Sequence, residues 1–217
     1  NPVGQVWGLE ALGFFKDEAD IANSPMQEFS VVRPGDIKYK VQKGDNTVNT
    51  NDRVPIGYSN RVPKTNYSFN GGIEFKGLGF NILFQGAAGF SQWDNYYWYG
   101  MPLVSNRNIT VDYFDNRWTP ENLDAKYPAL TSQSNPNNEE ASTLWYKDAS
   151  FLKLRNCELY YRLPASIIER ISVSELKVTL RGENLHTWSS YKGGDPEMPS
   201  YVYPSLKGVS AGLSVTF

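Results

Sequence analysis

The 217-residue chain has a single cysteine, Cys157, and a single histidine, His186, and its charge hardly favours either sign. One thiol cannot close an internal disulfide, so no cross-link framework holds this fold. With one imidazole, neither a multi-histidine metal site nor a histidine-based triad can be assembled from the chain, and His186 reads as a surface or interface residue. Lys and Arg total 21 against 23 for Asp and Glu, a formal charge of −2, which points to no nucleic-acid partner. Long apolar runs are also missing. The stretch Phe80 to Phe84 is interrupted by Asn81, far short of the roughly 20 residues a membrane helix needs. The segment Asn1 to Phe15 lacks a basic region followed by an apolar one, so an exported parent is expected to carry its signal further upstream.

Aromatic and turn-forming residues are plentiful: 14 Tyr, 11 Phe and 6 Trp beside 18 Gly and 13 Pro, a balance that favours β structure. Alternation with a period of two marks the strands. Val209, Ala211, Leu213, Val215 and Phe217 alternate with Ser210, Gly212, Ser214 and Thr216, and Leu176, Val178, Leu180 and Gly182 with Lys177, Thr179, Arg181 and Glu183. Phe69 to Phe75 and Phe80 to Gly86 form a hairpin across the link Lys76 to Gly79. Phe151 to Tyr161 changes phase between Leu154 and Cys157, which predicts a β-bulge. Gln5 to Phe15 reads as a sixth strand with Trp7, Leu9, Ala11 and Phe15 on one side. One apolar and one polar face suit a wall between lipid and water.

The connections run roughly 50 residues, then about four, 60, 14 and 24, against a usual median of about 4 to 6. All the long ones fall at one end of the strands, the asymmetry of outer-membrane barrels with short periplasmic turns and long extracellular loops. No further strands are expected inside them. The expected fold class is therefore all-β: about six antiparallel strands of a large transmembrane β-barrel with long extracellular loops. Six strands cannot close such a wall, which takes at least about eight. Short helices are predicted at Pro164 to Ile171 and at Thr119 to Pro128, and Ser132 to Thr143, low in apolar residues, reads as a mobile part of its loop.

Several stretches carry a family resemblance in register along most of the chain: FFKDEADIANSP from Phe14, RPGDIKYK from Arg33, NDRVPIGYSN from Asn51 and YSFNGGIEFKGLGFNILFQGAAG from Tyr67. DASFLKLRNCELYYRLP from Asp148, RGENLHTWSSYKGGDPE from Arg181 and the terminal GLSVTF from Gly212 continue it. The chain resembles the SusC/RagA-like TonB-dependent outer-membrane transporters. The resemblance implies that residues 1–217 are the C-terminal portion of such a barrel, with plug and N-terminal strands absent from this sequence. It further implies import of oligosaccharide or peptide across the cell outer membrane of a Bacteroidetes-like Gram-negative cell. A SusD-like surface lipoprotein would act as lid, and the TonB complex would pull on the missing N-terminal part. No cofactor, metal or catalytic residue is implied. Family members often carry an acidic, calcium-loop-like stretch after the GDIKYK segment. Here Lys40 to Asp52 has Val41 and Lys43 in it, so a polar Asx-rich turn is expected instead, with Asp45, Asn46, Asn49 and Asp52 as remaining oxygen donors.

The densest candidate for binding is Trp93, Asp94, Asn95, Tyr96, Tyr97, Trp98 and Tyr99, because flat aromatic faces pack on sugar C–H surfaces while Asp94 and Asn95 can bond hydroxyls. The same rings would equally serve to pack a long loop on its neighbours or on the lid. Trp118, Trp145 and Trp188 read as interface-belt anchors, and Cys157 as an ordinary wall position. The acid pairs Glu139 with Glu140 and Asp195 with Glu197 raise a glycoside-processing enzyme, but adjacent acids in such loops are usually solvated. The alternative to import is a soluble or surface glycan-binding β module without transport.

Overall fold

The computed structural model describes residues 2–59, 62–93, 103–168, 173–198 and 203–217. In chain order the strands are β1 (Gln5–Gly8), β2 (Ala11–Phe14), β3 (Met26–Gln27), β4 (Ile37–Tyr39), β5 (Thr47–Val48), β6 (Val54–Tyr58), β7 (Thr65–Phe75) and β8 (Leu78–Ala88). They continue with β9 (Ser91–Trp93), β10 (Tyr146–Asp148), β11 (Phe151–Arg162), β12 (Glu175–Ser189) and β13 (Gly208–Thr216). Short helices are α1 (Glu18–Ala22), α2 (Val111–Asn116), α3 (Pro136–Glu139) and α4 (Ala165–Ile168). The chain divides into two units, one of Asn1–Val62 with Phe90–Asp148 and one of Pro63–Gly89 with Ala149–Phe217.

The second unit is a single antiparallel sheet in the order β13-β12-β11-β8-β7. Its strands are 11, 11, 12, 15 and 9 residues long in chain order, the length of tilted membrane strands of about 9–11 residues and slightly beyond. Lys76 and Gly77 both take positive φ and close the β7–β8 hairpin between Phe75 and Leu78, the two-residue turn whose twist matches antiparallel strands. The bulge expected in Phe151 to Tyr161 lies at Arg155: the register shifts between Leu154 and Asn156 against both neighbouring strands. That extra residue returns Leu152 and Leu154 to the face of Cys157, Leu159 and Tyr161. Asn184, in the left-handed region at φ 51°, falls where β12 carries its own extra residue opposite the same shift.

Among the described residues the wall has five strands, where about six are expected. Gln5 to Phe15 breaks into β1 and β2, which pair with β6 and β4 in the first unit. Two strands of four residues each are too short to span a membrane, and Leu9 and Phe15 are instead buried. The long connections are therefore folded, with short strands that their low apolar content concealed.

That core gathers Leu9, Ile37, Tyr39, Val48, Tyr113, Tyr127 and Trp145. Tyr113 and Tyr127 stack at 4.6 Å and 11°. β4 pairs through one edge with β2. Its other edge meets side chains. Ile37 N–H donates to Asn138 Oδ1 at 2.8 Å, Tyr39 N–H donates to Gln27 Oε1 at 2.6 Å, and the Ile37 carbonyl accepts from both Gln27 Nε2 and Asn137 Nδ2 at 2.9 Å. Tyr39 donates its hydroxyl to the Asn137 carbonyl at 2.8 Å, and the Trp145 indole donates to the Asn138 carbonyl at 2.7 Å. Gln27, Asn137 and Asn138 are all buried. Ser132 to Thr143 is thus ordered where mobility was expected. Asn135 caps α3 and Pro136 opens it, and its amides are consumed by buried backbone instead of water.

Arg33-Pro34-Gly35-Asp36 turns into β4 with Asp36 N–H donating to the Arg33 carbonyl at 3.0 Å. Gly35 sits at φ 87°, and a Cβ there would run into the Trp118 ring and Ala129. Trp118 and Trp145 are both buried, so neither is an interface anchor. The predicted helix Thr119 to Pro128 is absent; Thr119 and Asn122 form an isolated bridge instead. The nearby helix is α2, capped by Thr110, whose hydroxyl accepts from Tyr113 N–H at 3.1 Å.

Replacing Asn138 by Ala leaves the buried Ile37 N–H without its acceptor and removes a donor from Asp36. The expected cost is about 1–3 kcal/mol per orphaned group, read as faster hydrogen exchange across residues 35–40 of the parent protein. Unchanged protection there would count against the amide edge.

Candidate functional site

The wall's two faces differ in chemistry along their whole length. Phe69, Gly71, Ile73 and Phe75 stand opposite Phe84, Ile82, Phe80 and Leu78. The same face continues through Cys157, Leu159 and Tyr161 to Gly182, Leu180 and Val178, then to Val209, Ala211 and Leu213. Ile73 at 71%, Val209 at 74% and Leu213 at 67% exposure have no protein over them. Toward the loop end this face carries a ring cluster: Trp188 meets His186 at 4.4 Å and Phe84 at 6.2 Å. His186 lies near the loop end of β12.

The opposite face holds a ladder of paired charges. Arg162 Nη1 reaches both Glu74 oxygens, at 2.9 and 2.7 Å, and Tyr160 donates to the same carboxylate at 2.5 Å. This contact passes over Gly79 on the strand between, where a Cβ would collide with the Tyr160 ring. Arg162 also pairs with Glu175 at 3.3 Å, Lys177 with Glu158 at 3.7 Å and Arg181 with Glu183 at 3.2 Å.

At its upper end the ladder meets the connection between β12 and β13. Lys153, at 1% side-chain exposure, lies 3.2 Å from both Asp195 oxygens and 2.8 Å from Glu197 Oε2. Arg155, the bulge residue, donates to Glu197 Oε1 at 2.5 Å, to Gln85 at 3.0 Å and to Asn184 Oδ1 at 3.0 Å. Asn184 in turn donates to the Leu206 carbonyl at 3.1 Å, and Ser205 N–H donates to Asp195 Oδ2 at 3.1 Å. Burial raises both carboxyls, but Ser205 and Glu197 N–H at Asp195, and Arg155 and Lys153 at Glu197, outweigh it and hold each below its usual range. Asp195 and Glu197, a candidate catalytic pair by sequence, are counter-ions in the structure. The other pair is engaged too: Glu139 accepts from Ser134 and from Asn135 N–H, both at 2.8 Å, and Glu140 pairs with Arg53 at 2.7 Å. Lys153 and Arg155 went unnoticed in the sequence because their partners lie some 42 residues away along the chain.

In the first unit, Trp93 ends β9 and sets its ring edge-on to Tyr146 at 5.0 Å, against the core. Asp94, Asn95, Tyr96, Tyr97, Trp98 and Tyr99 lie outside the described residues. A cleft of about 400 Å³ is lined by Ser30, Arg33, Asp36, Thr131, Gln133 and Asn135. Burial pushes the Asp36 carboxyl up, against hydrogen bonds from Arg33 N–H, Asn138 and Asn135 that favour its charge.

The Lys40 to Asp52 stretch forms the expected Asx-rich turn. Asp52, buried, accepts from Gln42 N–H at 2.8 Å, Lys43 N–H at 3.3 Å and Asn49 N–H at 2.9 Å, while Asn49 Oδ1 accepts from Asn51 N–H at 2.9 Å. Among the described residues no group of three His, Cys, Asp or Glu side chains is placed to hold a metal ion.

No family model matches the chain. It is 27% identical to TonB-dependent receptor P26 of Formosa agariphila over 97% of its own length and 22% of that protein's. It is also 27% identical to TonB-dependent receptor P3 of the same organism, over 85% of the chain and 19% of the relative. The solved RagAB peptide transporter superposes with a TM-score of 0.72 at 24% identity, over 98% of this chain and 23% of that one. The RagAB peptide importer in its open-open state gives 0.71 at 23%. These structural likenesses speak to the fold, and the sequence likeness is to TonB-dependent receptors. In fold the chain is similar to a barrel portion of the RagAB transporters, and in sequence it is similar to TonB-dependent receptors. It spans about a fifth of the curated relatives' length, 22% and 19% for the two named. The single sheet of the second unit is an arc of that receptor-type barrel, and the first unit is the folded form of the two long connections, before β7 and between β8 and β11.

The Asp52 carboxyl is held below the ordinary carboxylate range, since the three backbone donors and Lys43 outweigh the burial that raises it. Its stabilisation is complete at neutral pH and is lost as pH falls below the usual Asp range through the depressed value. Exchange of the Gln42, Lys43 and Asn49 amides, corrected for intrinsic rates, should therefore quicken only in acid, whereas Asp52→Asn should quicken it at neutral pH.

Proposed function

We propose that the chain forms part of the wall and outer loops of a TonB-dependent importer in the outer membrane of a Bacteroidetes-like cell. The observation that carries this is the uncovered apolar face of a sheet whose other face is charged. A soluble β module would need a second sheet over Ile73, Leu180 and Leu213, and the described residues of that unit provide one sheet. The ring levels fit a bilayer. Trp188 stands opposite Leu152, which on its other side stands opposite Gly86, and Tyr161 stands opposite Leu78; from Gly86 to Leu78 is about 26 Å along the strand and about 20 Å after a tilt of about 40°, near the roughly 25 Å apolar band of such barrels.

The cargo is an oligosaccharide or a peptide, the latter favoured by the RagAB peptide importers' likeness in fold. A SusD-like lipoprotein covers the outer side, and the TonB complex acts on the N-terminal part of the parent protein. The chain's part in this is non-catalytic: the acid pairs a glycosidase would draw on, Glu139 with Glu140 and Asp195 with Glu197, are engaged by cations, Ser134 and backbone. Trp93 to Tyr99 contact the cargo, with Trp93 anchoring the segment through Tyr146.

Leu180→Arg and Thr179→Arg, on adjacent positions facing opposite sides, test the wall. In the whole receptor refolded into lipid vesicles, Leu180→Arg should cost about 2–4 kcal/mol and Thr179→Arg less than about 1. Equal tolerance of the two would sink the reading.

A second test concerns the cargo loop. Trp98→Ala in the intact receptor should weaken cargo binding roughly tenfold, the loss of one hot-spot ring, with normal barrel assembly. Full retention of affinity would remove this loop from the cargo site.

A further inference from the structure

The wall's polar face holds two cations whose partners come from a loop instead of from a neighbouring strand. Elsewhere on this face Arg162, Lys177 and Arg181 pair with Glu74, Glu158, Glu175 and Glu183, all on strands. Lys153 and Arg155 instead take Asp195 and Glu197 from the β12–β13 connection.

The two acids are not equivalent. Asp195 is 9% exposed, presents both oxygens to Lys153, and is tied further by Ser205 and Glu197 N–H. Glu197 is 29% exposed, and among the described residues its side chain is held by the two cations, one oxygen to each. Two features aim Arg155 at this spot: the bulge that frees it from the strand's alternation, and Gln85 and Asn184, which accept from the rest of its guanidinium. Withdrawing Glu197 would leave Lys153, Arg155 and Asp195 with one positive charge in excess, and with one donor on each cation aimed at a carboxylate-sized gap.

We propose that Lys153 and Arg155 form a carboxylate-binding site on the polar face of the wall, which the chain's own Glu197 fills while the β12–β13 loop is docked. Asp195 is the fixed counter-ion that keeps Lys153 charged when the site changes occupant. A solute carboxylate takes the place of Glu197 by exchange, one anion for another, so the buried lysine is never left bare, a state that is costly in low dielectric. The ligand class is a small carboxylate, from an acidic or C-terminal peptide group or from a sugar acid. Its role rests on the reading of this face as the solute's path, but its chemistry does not.

The test uses the whole receptor carrying Glu197→Ala and reads hydrogen exchange at the backbone amide of residue 197 and at Ser205, both of which donate to Asp195. Exchange should quicken about tenfold, the order for losing charged hydrogen bonds. Acetate should restore protection where chloride at equal ionic strength does not. Adding Arg155→Gln should abolish the restoration. Comparing N-acetylglycine with glucuronate then separates a peptide source from a sugar-acid source, by which one restores protection at the lower concentration. If Glu197→Ala does not assemble, Glu197→Gln carries the same acetate and chloride comparison. Equal behaviour of acetate and chloride would overturn the site while leaving the importer reading, which stands on Leu180 and Thr179, untouched.

Discussion

The folded outer connections depend on how the second edge of a three-residue strand is satisfied. β4 has β2 on one side only. On the other side its N–H and carbonyl groups are buried and would cost several kcal/mol if left unpaired. Gln27, Asn137 and Asn138 supply amides that donate and accept as a neighbouring strand would. Because those side chains come from two distant stretches of chain, satisfying one strand also fixes where α3 lies, where Trp145 finds an acceptor and how Asp36 is held. Apolar packing around Tyr39 fills the space that this polar frame defines.

The wall was the legible part. A period of two is visible in Val209 to Phe217 and in Leu176 to Glu183, since a face set against lipid admits few exceptions, and even the bulge at Arg155 showed as a slip in phase. The loop unit hid its order. Gln27 and Asn137 are polar by composition, and composition alone cannot tell an amide facing water from one facing a buried backbone. From composition alone Ser132 to Thr143 therefore reads as mobile. Gln5 to Phe15 misled in the opposite sense, for its apolar residues serve a compact core and not a span. Trp118 and Trp145 likewise resemble interface rings until their burial is seen. The charge site was invisible for a further reason: a lysine on a strand and two acids in a loop acquire meaning only when the fold brings them to within 3.2 Å.

The two units also divide physical labour. The sheet tolerates little change in which face is apolar, but its backbone bonds are generic and independent of side-chain identity. The loop unit has the reverse sensitivity, since replacing one amide orphans a named backbone group. This is the expected partition when loops carry recognition and strands carry partition into a bilayer.

The ladder of Arg162, Lys177 and Arg181 with Glu74, Glu158, Glu175 and Glu183 has a consequence for anything that slides along it. Each of these charges already has a partner on its own strand, on an adjacent one or, for Glu74 and Arg162, across the strand between, so this stretch offers many hydrogen-bonding groups but no deep electrostatic well. A polar solute on such a surface would trade one shallow contact for the next at nearly level energy. That stretch would then act as a low-friction track, on which a large molecule is guided without being caught.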